Sequence, residues 1–144
     1  MGIYTKEEQF ELIKKGTEPW KNLKEIDNQY EDVCLKAVKQ YGSFALEYVK
    51  EQTPEICLEA VKRHGWAIEY VKEQTPEICL EAVKNYGRAL QYVKEQTYEL
   101  CLEAVKQNGY ALEHVKEQTP EICLEAVKKH GWALRYVKEQ TPEI

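Results

Sequence analysis

Three histidines, His64, His114 and His130, and five cysteines, Cys34, Cys57, Cys79, Cys101 and Cys123, are the side chains of this sequence best suited to proton transfer, nucleophilic attack or metal ligation. An imidazole acts as a general base only beside a nucleophile that it deprotonates and, as a rule, a group that orients it. No acidic residue or nucleophile accompanies the three histidines at a fixed offset, and they stand in slots that hold Tyr or Asn elsewhere in the chain. The cysteines show neither Cys-x-x-Cys nor a Cys/His pair at zinc-ligand spacing. They are odd in number and fall in the same slot of successive repeats, so each reads as a small hydrophobe at a helix seam. Helix axes about 8 to 10 Å apart rarely bring equivalent Cα atoms within the about 7 Å that a disulfide requires. There is no Gly-rich phosphate loop, no HExxH and no Ser or Cys nucleophile motif. These residues predict a protein that is not an enzyme and takes no cofactor and no metal.

The positions that change from copy to copy point to another kind of chemistry. Beside a recurrent glycine, the preceding pairs read Gln40-Tyr41, Arg63-His64, Asn85-Tyr86, Gln107-Asn108 and Lys129-His130. The residue after the glycine, allowing for an extra Ser43, reads Phe44, Trp66, Arg88, Tyr110 and Trp132. Aromatic and Arg side chains are enriched at binding hot spots. Stacked in a row along one rim, they predict a partner-binding ladder of Tyr41, Phe44, Arg63, His64, Trp66, Tyr86, Arg88, Asn108, Tyr110, His130 and Trp132. The same residues also suit a plainer role, in which an aromatic after a glycine plugs the groove between neighbouring turns.

The elements that must position this row are set by an internal repeat. Thr53 to Gln74 reads TPEICLEAVKRHGWAIEYVKEQ, and copies of the same 22-residue length begin at Thr75, Thr97 and Thr119. Tyr30 to Gln52 is a further copy carrying the extra residue, residues 5–29 hold a degenerate capping copy with Gln9 in the cysteine slot, and Thr141 to Ile144 begin another. Within a copy, Thr53 suits an N-cap, Pro54 the first helical turn and Glu55 the positive end of the helix dipole. Ile56, Cys57, Ala60 and Val61 form an apolar stripe at helical spacing. Gly65 is expected to stop this first helix in the left-handed conformation. A second short helix follows, with Ala67, Tyr70 and Val71 on one side. Helices this short are marginal alone and must stack. The sequence therefore predicts an all-α protein, an α-solenoid of six 22-residue helix-turn-helix repeats plus a truncated seventh, as one domain over residues 1–144. Glycine and proline at every repeat exclude a continuous coiled coil.

The run Cys-Leu-Glu-Ala-Val-Lys followed by Gly-Trp-Ala-Ile-Glu-Tyr-Val-Lys resembles the repeats of domain-of-unknown-function family 4116, which occur in tandem in bacterial and giant-virus proteins. The resemblance spans the chain from about Thr5 onward and is specific for Tyr30 to Gln140. It implies an all-helical array and carries no catalytic residue with it.

Composition narrows the partner. At 144 residues, 43% hydrophobic and 31% charged, the chain has the balance of a folded domain. A net charge of −5 disfavours wholesale attraction to nucleic acid or anionic lipid. No apolar run approaches the roughly 18 residues of a membrane span, and no apolar signal segment opens the sequence. The reading is a cytoplasmic, non-enzymatic protein–protein interaction module, with an acidic surface that suits an inhibitor or nucleic-acid mimic acting on a host effector. Its alternatives are a single-stranded RNA or DNA binder that uses the Trp, Tyr and Arg ladder, and an idealised or truncated scaffold without a partner. At the end of the array, Ile122, Cys123, Val127, Trp132, Leu134 and Val137 keep the apolar pattern of internal copies. This predicts an uncovered face and a homodimer through the C-terminal repeat, with Ile144 inside it. The N-terminal copy is expected to present a polar outer face that includes Gln9.

Overall fold

A computed structural model describes residues 2–142. Six helix pairs follow one another along the chain. The first members are α1 (Lys6–Leu12), α2 (Glu31–Tyr41), α4 (Pro54–Arg63), α5 (Pro76–Asn85), α6 (Tyr98–Gln107) and α7 (Pro120–Lys129). The second members are 3-10 helices in five repeats, η1 (Pro19–Glu25), η2 (Gly65–Tyr70), η3 (Gly87–Tyr92), η4 (Gly109–His114) and η5 (Gly131–Tyr136), and one α-helical turn, α3 (Ser43–Leu46). The helices α4 to α7 pack on one another in succession, each also packs on the second helix of the repeat before it, and the successive 3-10 helices η2 to η5 pack on each other. The result is a two-layer all-α solenoid.

The helices α1 and α4 to α7 start where the repeat places a threonine, whereas α2 follows Tyr30 and α3 follows Gly42. The hydroxyls of Thr53, Thr75, Thr97 and Thr119 accept the amide three residues on, at 3.2–3.3 Å. That interaction is worth about 1 kcal/mol per helix. The apolar stripe is the buried one: Ile78, Cys79, Ala82 and Val83 are at most 6% exposed, and their counterparts in α4 and α6 are equally covered. The second helix buries a different side than its spacing suggests. Ala67, Ile68 and Val71 are inside while Tyr70 is half-buried, because the tighter 3-10 winding turns Ile68 inward.

The repeat glycines do not have the conformation expected of them. Among the described residues positive φ occurs only at Gly16 and Gly42. The residue before the glycine, such as Tyr86 at φ −148°, is extended and ends the helix instead. Glycine is required for space. A Cβ on Gly87 would lie 2.5 Å from the Ala104 carbonyl of the next repeat, and Gly65 stands in the same relation to Ala82. Gly42 is the exception, at φ 60°, and the extra Ser43 there converts the following turn from 3-10 to α.

The two ends also depart from the expectation. Gln9 is fully buried rather than part of a polar outer face, and its amide reaches the Asn28 carbonyl at 2.8 Å and the Tyr4 carbonyl at 3.1 Å. At the other end Ile122, Cys123 and Val137 remain buried. The uncovered positions are Val127 and Leu134, half-buried where their counterparts are fully buried, together with Gly131 and Trp132, which are exposed. Ile144 lies outside the described residues.

Candidate partner-binding rim

All eleven candidate residues lie at the turn between the two helices of a repeat, and the stacking of repeats does bring them into one row. Their roles within that row divide into two kinds.

The positions just before the glycine are largely used by the fold. Gly65 donates its N–H to Asn85 Oδ1 at 2.8 Å, and Gly87 donates to Gln107 Oε1 at 2.6 Å. Gly109 donates to His130 Nδ1 at 3.0 Å, and Ser43, in the repeat with the extra residue, donates to His64 Nδ1 at 3.3 Å. Every one of these bonds crosses a seam to the first amide of the preceding repeat's second helix, a group left without a partner by its own helix. The variation among copies is compensated: either the second slot holds His, or the first slot holds Asn or Gln. Asn108 has a local task, accepting the Tyr110 amide at 2.9 Å. Tyr41 donates its hydroxyl to the Ile13 carbonyl at 2.8 Å, which ties the capping repeat to the array. His64, Asn108, His130 and Tyr41 are thus engaged by neighbouring backbone, and Arg63 remains exposed.

The positions after the glycine form the outer surface. Phe44 is 52% exposed, Trp66 40% and Trp132 78%. Rings run continuously through the first four repeats, from Tyr41 to Trp20 at 5.3 Å and on to Phe44, His64, Trp66 and Tyr86. The tightest step is the parallel stack of His64 on Trp66, with centroids 4.5 Å apart. Trp66 also donates its indole N–H to Ser43 Oγ at 3.1 Å, which fixes the orientation of the ring. Arg88 interrupts the row and pairs with Glu113 at 2.9 Å. Beyond it Tyr110 stacks on His130 at 4.7 Å. Trp132 closes the row with far less cover than Trp66, so the two are not equivalent.

The family model described as Domain of unknown function (DUF4116) matches this chain four times in overlapping register, over residues 30–74, 53–97, 75–119 and 97–140. The chain belongs to the DUF4116 family. No curated protein and no solved structure matches it.

What holds this DUF4116 array together includes residues that its constant positions conceal. Gln29, Gln52, Gln74, Gln96 and Gln118 each reach into the following repeat. There the side-chain amide donates to the carbonyl of the residue at Tyr48, Tyr70, Tyr92, His114 or Tyr136, at 2.7–2.8 Å. The same side chain accepts the amide two residues on, at 2.9–3.0 Å. Its oxygen also takes the thiol of the cysteine five residues later, as in Gln52 with Cys57 at 3.6 Å. Strict recurrence of Gln every 22 or 23 residues is the signal that could have revealed this clamp. Trp20, outside the regular repeats, was likewise missed as a member of the ring row.

The cysteines of the DUF4116 repeats are unsuited to nucleophilic work. All five are buried free thiols, and burial pushes Cys34 and Cys57 up to about 11. The neutral thiol dominates at pH 7, and it is the thiolate that reacts. Among the described residues no group of three or more His, Cys, Asp or Glu gathers as a metal site, and no helix is long and apolar enough to cross a membrane.

Between repeats, the edge opposite the rim carries a periodic groove. One example, 430 Å³, lies between Gln74-Thr75-Pro76 and Lys94-Glu95, over Cys79.

Proposed function

We propose that this protein is a non-enzymatic protein–protein interaction module that presents its turn rim to a protein partner. The observation that carries the reading is the exposure of an aromatic side chain at one equivalent slot in three repeats: Phe44, Trp66 and Trp132. Three of the large apolar side chains left in solvent thus fall on a single row, where scattered exposure needs no explanation but alignment does. The neighbouring His, Asn and Gln side chains hold the turns rigid, so little ordering entropy opposes contact there. A net charge of −5 supports a protein partner over an anionic polymer, and of the two arginines on the rim Arg88 is already paired. An acidic solenoid of this kind also suits occupation of a basic channel on a host effector.

Proteins captured by the wild-type chain and by a Phe44→Ala, Trp132→Ala variant test this reading. Trp132 lies outside the seams and Phe44 adds only ring contacts with Trp20 and His64, so the melting temperature should fall little while specific capture is lost. Capture that survives the double substitution would move the site off the rim. Retention of single-stranded RNA in a gel shift that weakens with salt would favour the nucleic-acid reading instead.

A second reading concerns the repeat of α7 and η5, where Val127 and Leu134 are half-buried and Gly131 and Trp132 exposed. We propose that two copies meet through this face about a two-fold axis, the simplest way for one chain to cover it.

A further inference from the structure

Four seams of the array are closed by the same kind of bond, a backbone N–H at the start of one repeat's second helix donated to a side-chain acceptor on the next repeat. Two of the acceptors are amide oxygens, Asn85 Oδ1 and Gln107 Oε1, which keep their lone pairs at any ordinary pH. The other two are imidazole Nδ1 atoms, His64 and His130, which accept only while unprotonated. Protonation replaces the lone pair with a second N–H, so donor then faces donor across a buried contact. Turning the ring does not help, because both nitrogens of an imidazolium are donors.

We propose that the seams closed by His64 and His130 form a pH-sensitive device that loosens on mild acidification while the seams closed by Asn85 and Gln107 stay shut. Ser43 and Gly109, whose amides are released, are buried, so their N–H groups gain no water in the closed seam. The two histidines are also rungs of the exposed rim, stacked on Trp66 and Tyr110. Loosening therefore alters the surface that the proposed function assigns to a partner, and in that respect the device rests on that reading. The seam chemistry itself does not.

The surroundings of His64 supply no stabilising anion. Against His64 lie Ser43 and Phe44 from α3 and Trp66 from η2, all uncharged, with Arg63 beside it on its own helix. Burial, and then Arg63, hold its proton affinity below the ordinary value of 6.5. The contribution of His64 is therefore complete above pH 6.5 and is lost as pH falls through the lower folded-state value. Against His130 lie Gly109 and Tyr110 from η4, with Lys128 and Lys129 on its own helix, Lys128 being paired with Glu125. Ser43 Oγ, 3.3 Å from His64 Nδ1, offers the imidazolium a local acceptor that Gly109 does not offer His130. The seam at Ser43 therefore keeps a polar partner for the ring that the seam at Gly109 lacks.

The pair Gln107-Asn108 closes its seam through an amide oxygen that does not titrate, so the same pair placed at 63–64 and 129–130 supplies a non-titrating acceptor. Amide hydrogen exchange of Ser43, Gly65, Gly87 and Gly109, corrected for the chemical exchange rate, should be followed from pH 7.5 to pH 5 in the wild type and in the Arg63→Gln, His64→Asn, Lys129→Gln, His130→Asn variant. The expected result is a loss of protection of about tenfold at Gly109, and less at Ser43, with Gly65 and Gly87 unchanged. The variant should keep all four protected at both pH values. His114 remains in both proteins, and its own titration cannot imitate a difference between them. Uniform loss at all four amides, or equal pH dependence in the variant, would overturn the proposal. Partner capture plays no part in this experiment, so a failed binding test leaves its outcome independent.

Discussion

Gly87 and Gly131 occupy the same slot in two repeats, and what surrounds them differs completely. At Gly87 the next repeat's Ala104 carbonyl would sit 2.5 Å from an added Cβ, whereas at Gly131 nothing lies within 4 Å. Neither glycine has positive φ, so the cost of a side chain is steric and depends on the neighbour. Gly87→Ala should lower stability by at least about 2 kcal/mol through forced separation of the seam. Gly131→Ala should stay within about 0.5 kcal/mol, as an exposed substitution does. Urea denaturation of the two variants measures this, and equal losses would return the glycine to a backbone role. At the same scale, two of the three histidines that looked most capable of acid–base chemistry, His64 and His130, spend a lone pair on a backbone amide.

A single repeat element is a short α-helix and a 3-10 turn, neither of which completes its own hydrogen bonding. The glutamine at the end of each repeat supplies what is missing by joining two backbone groups of the next repeat through one planar amide. In Gln74→Ala the Tyr92 carbonyl and the Lys94 amide lose their partners, a destabilisation of about 2 to 3 kcal/mol. Gln74→Glu keeps the acceptor and removes the donor, so it should fall between that variant and the wild type. Gln140 is exposed, and its replacement by Ala should cost less than about 0.5 kcal/mol. Thermal melts of the three variants would show whether the clamp is strongest where two repeats share it. If Gln74→Ala and Gln140→Ala melt alike, the clamp adds nothing beyond the helix packing.

For the molecule as a whole, stability propagates from repeat to repeat and the two ends are unlike. The N-terminal repeat is fastened by buried Gln9, Asn28 and the Tyr41 hydroxyl, while the C-terminal repeat leaves Trp132 78% exposed and Leu134 half-buried. In single-tryptophan variants acrylamide should quench Trp132 more strongly than Trp66 in dilute solution. At hundreds of micromolar, where the proposed two-fold contact forms, Trp132 should become protected and sedimentation should report a dimer. Trp132→Glu should then restore the monomer. A monomer at every concentration, with Trp132 equally quenched throughout, rules the contact out.

The sequence by itself determined the all-α array, the helix starts at Thr53, Thr75, Thr97 and Thr119, and the buried stripe of each first helix. Those follow from local capping and from a period that any one copy already displays. It also placed the eleven rim residues in one row, since equal repeats must put equal positions in line. What it left open was which of them face solvent and which face a neighbour. Asn85, Gln107, His64 and His130 look like drift when copies are compared slot by slot, because the compensation between two adjacent slots appears only when the amide they serve is seen across the seam. The left-handed glycine stop failed for a related reason: helix ends favour glycine for its φ, but here a carbonyl from the next repeat needs the space of a missing Cβ. Local rules fix what a repeat is, and only the stacked structure decides what one repeat demands of the next.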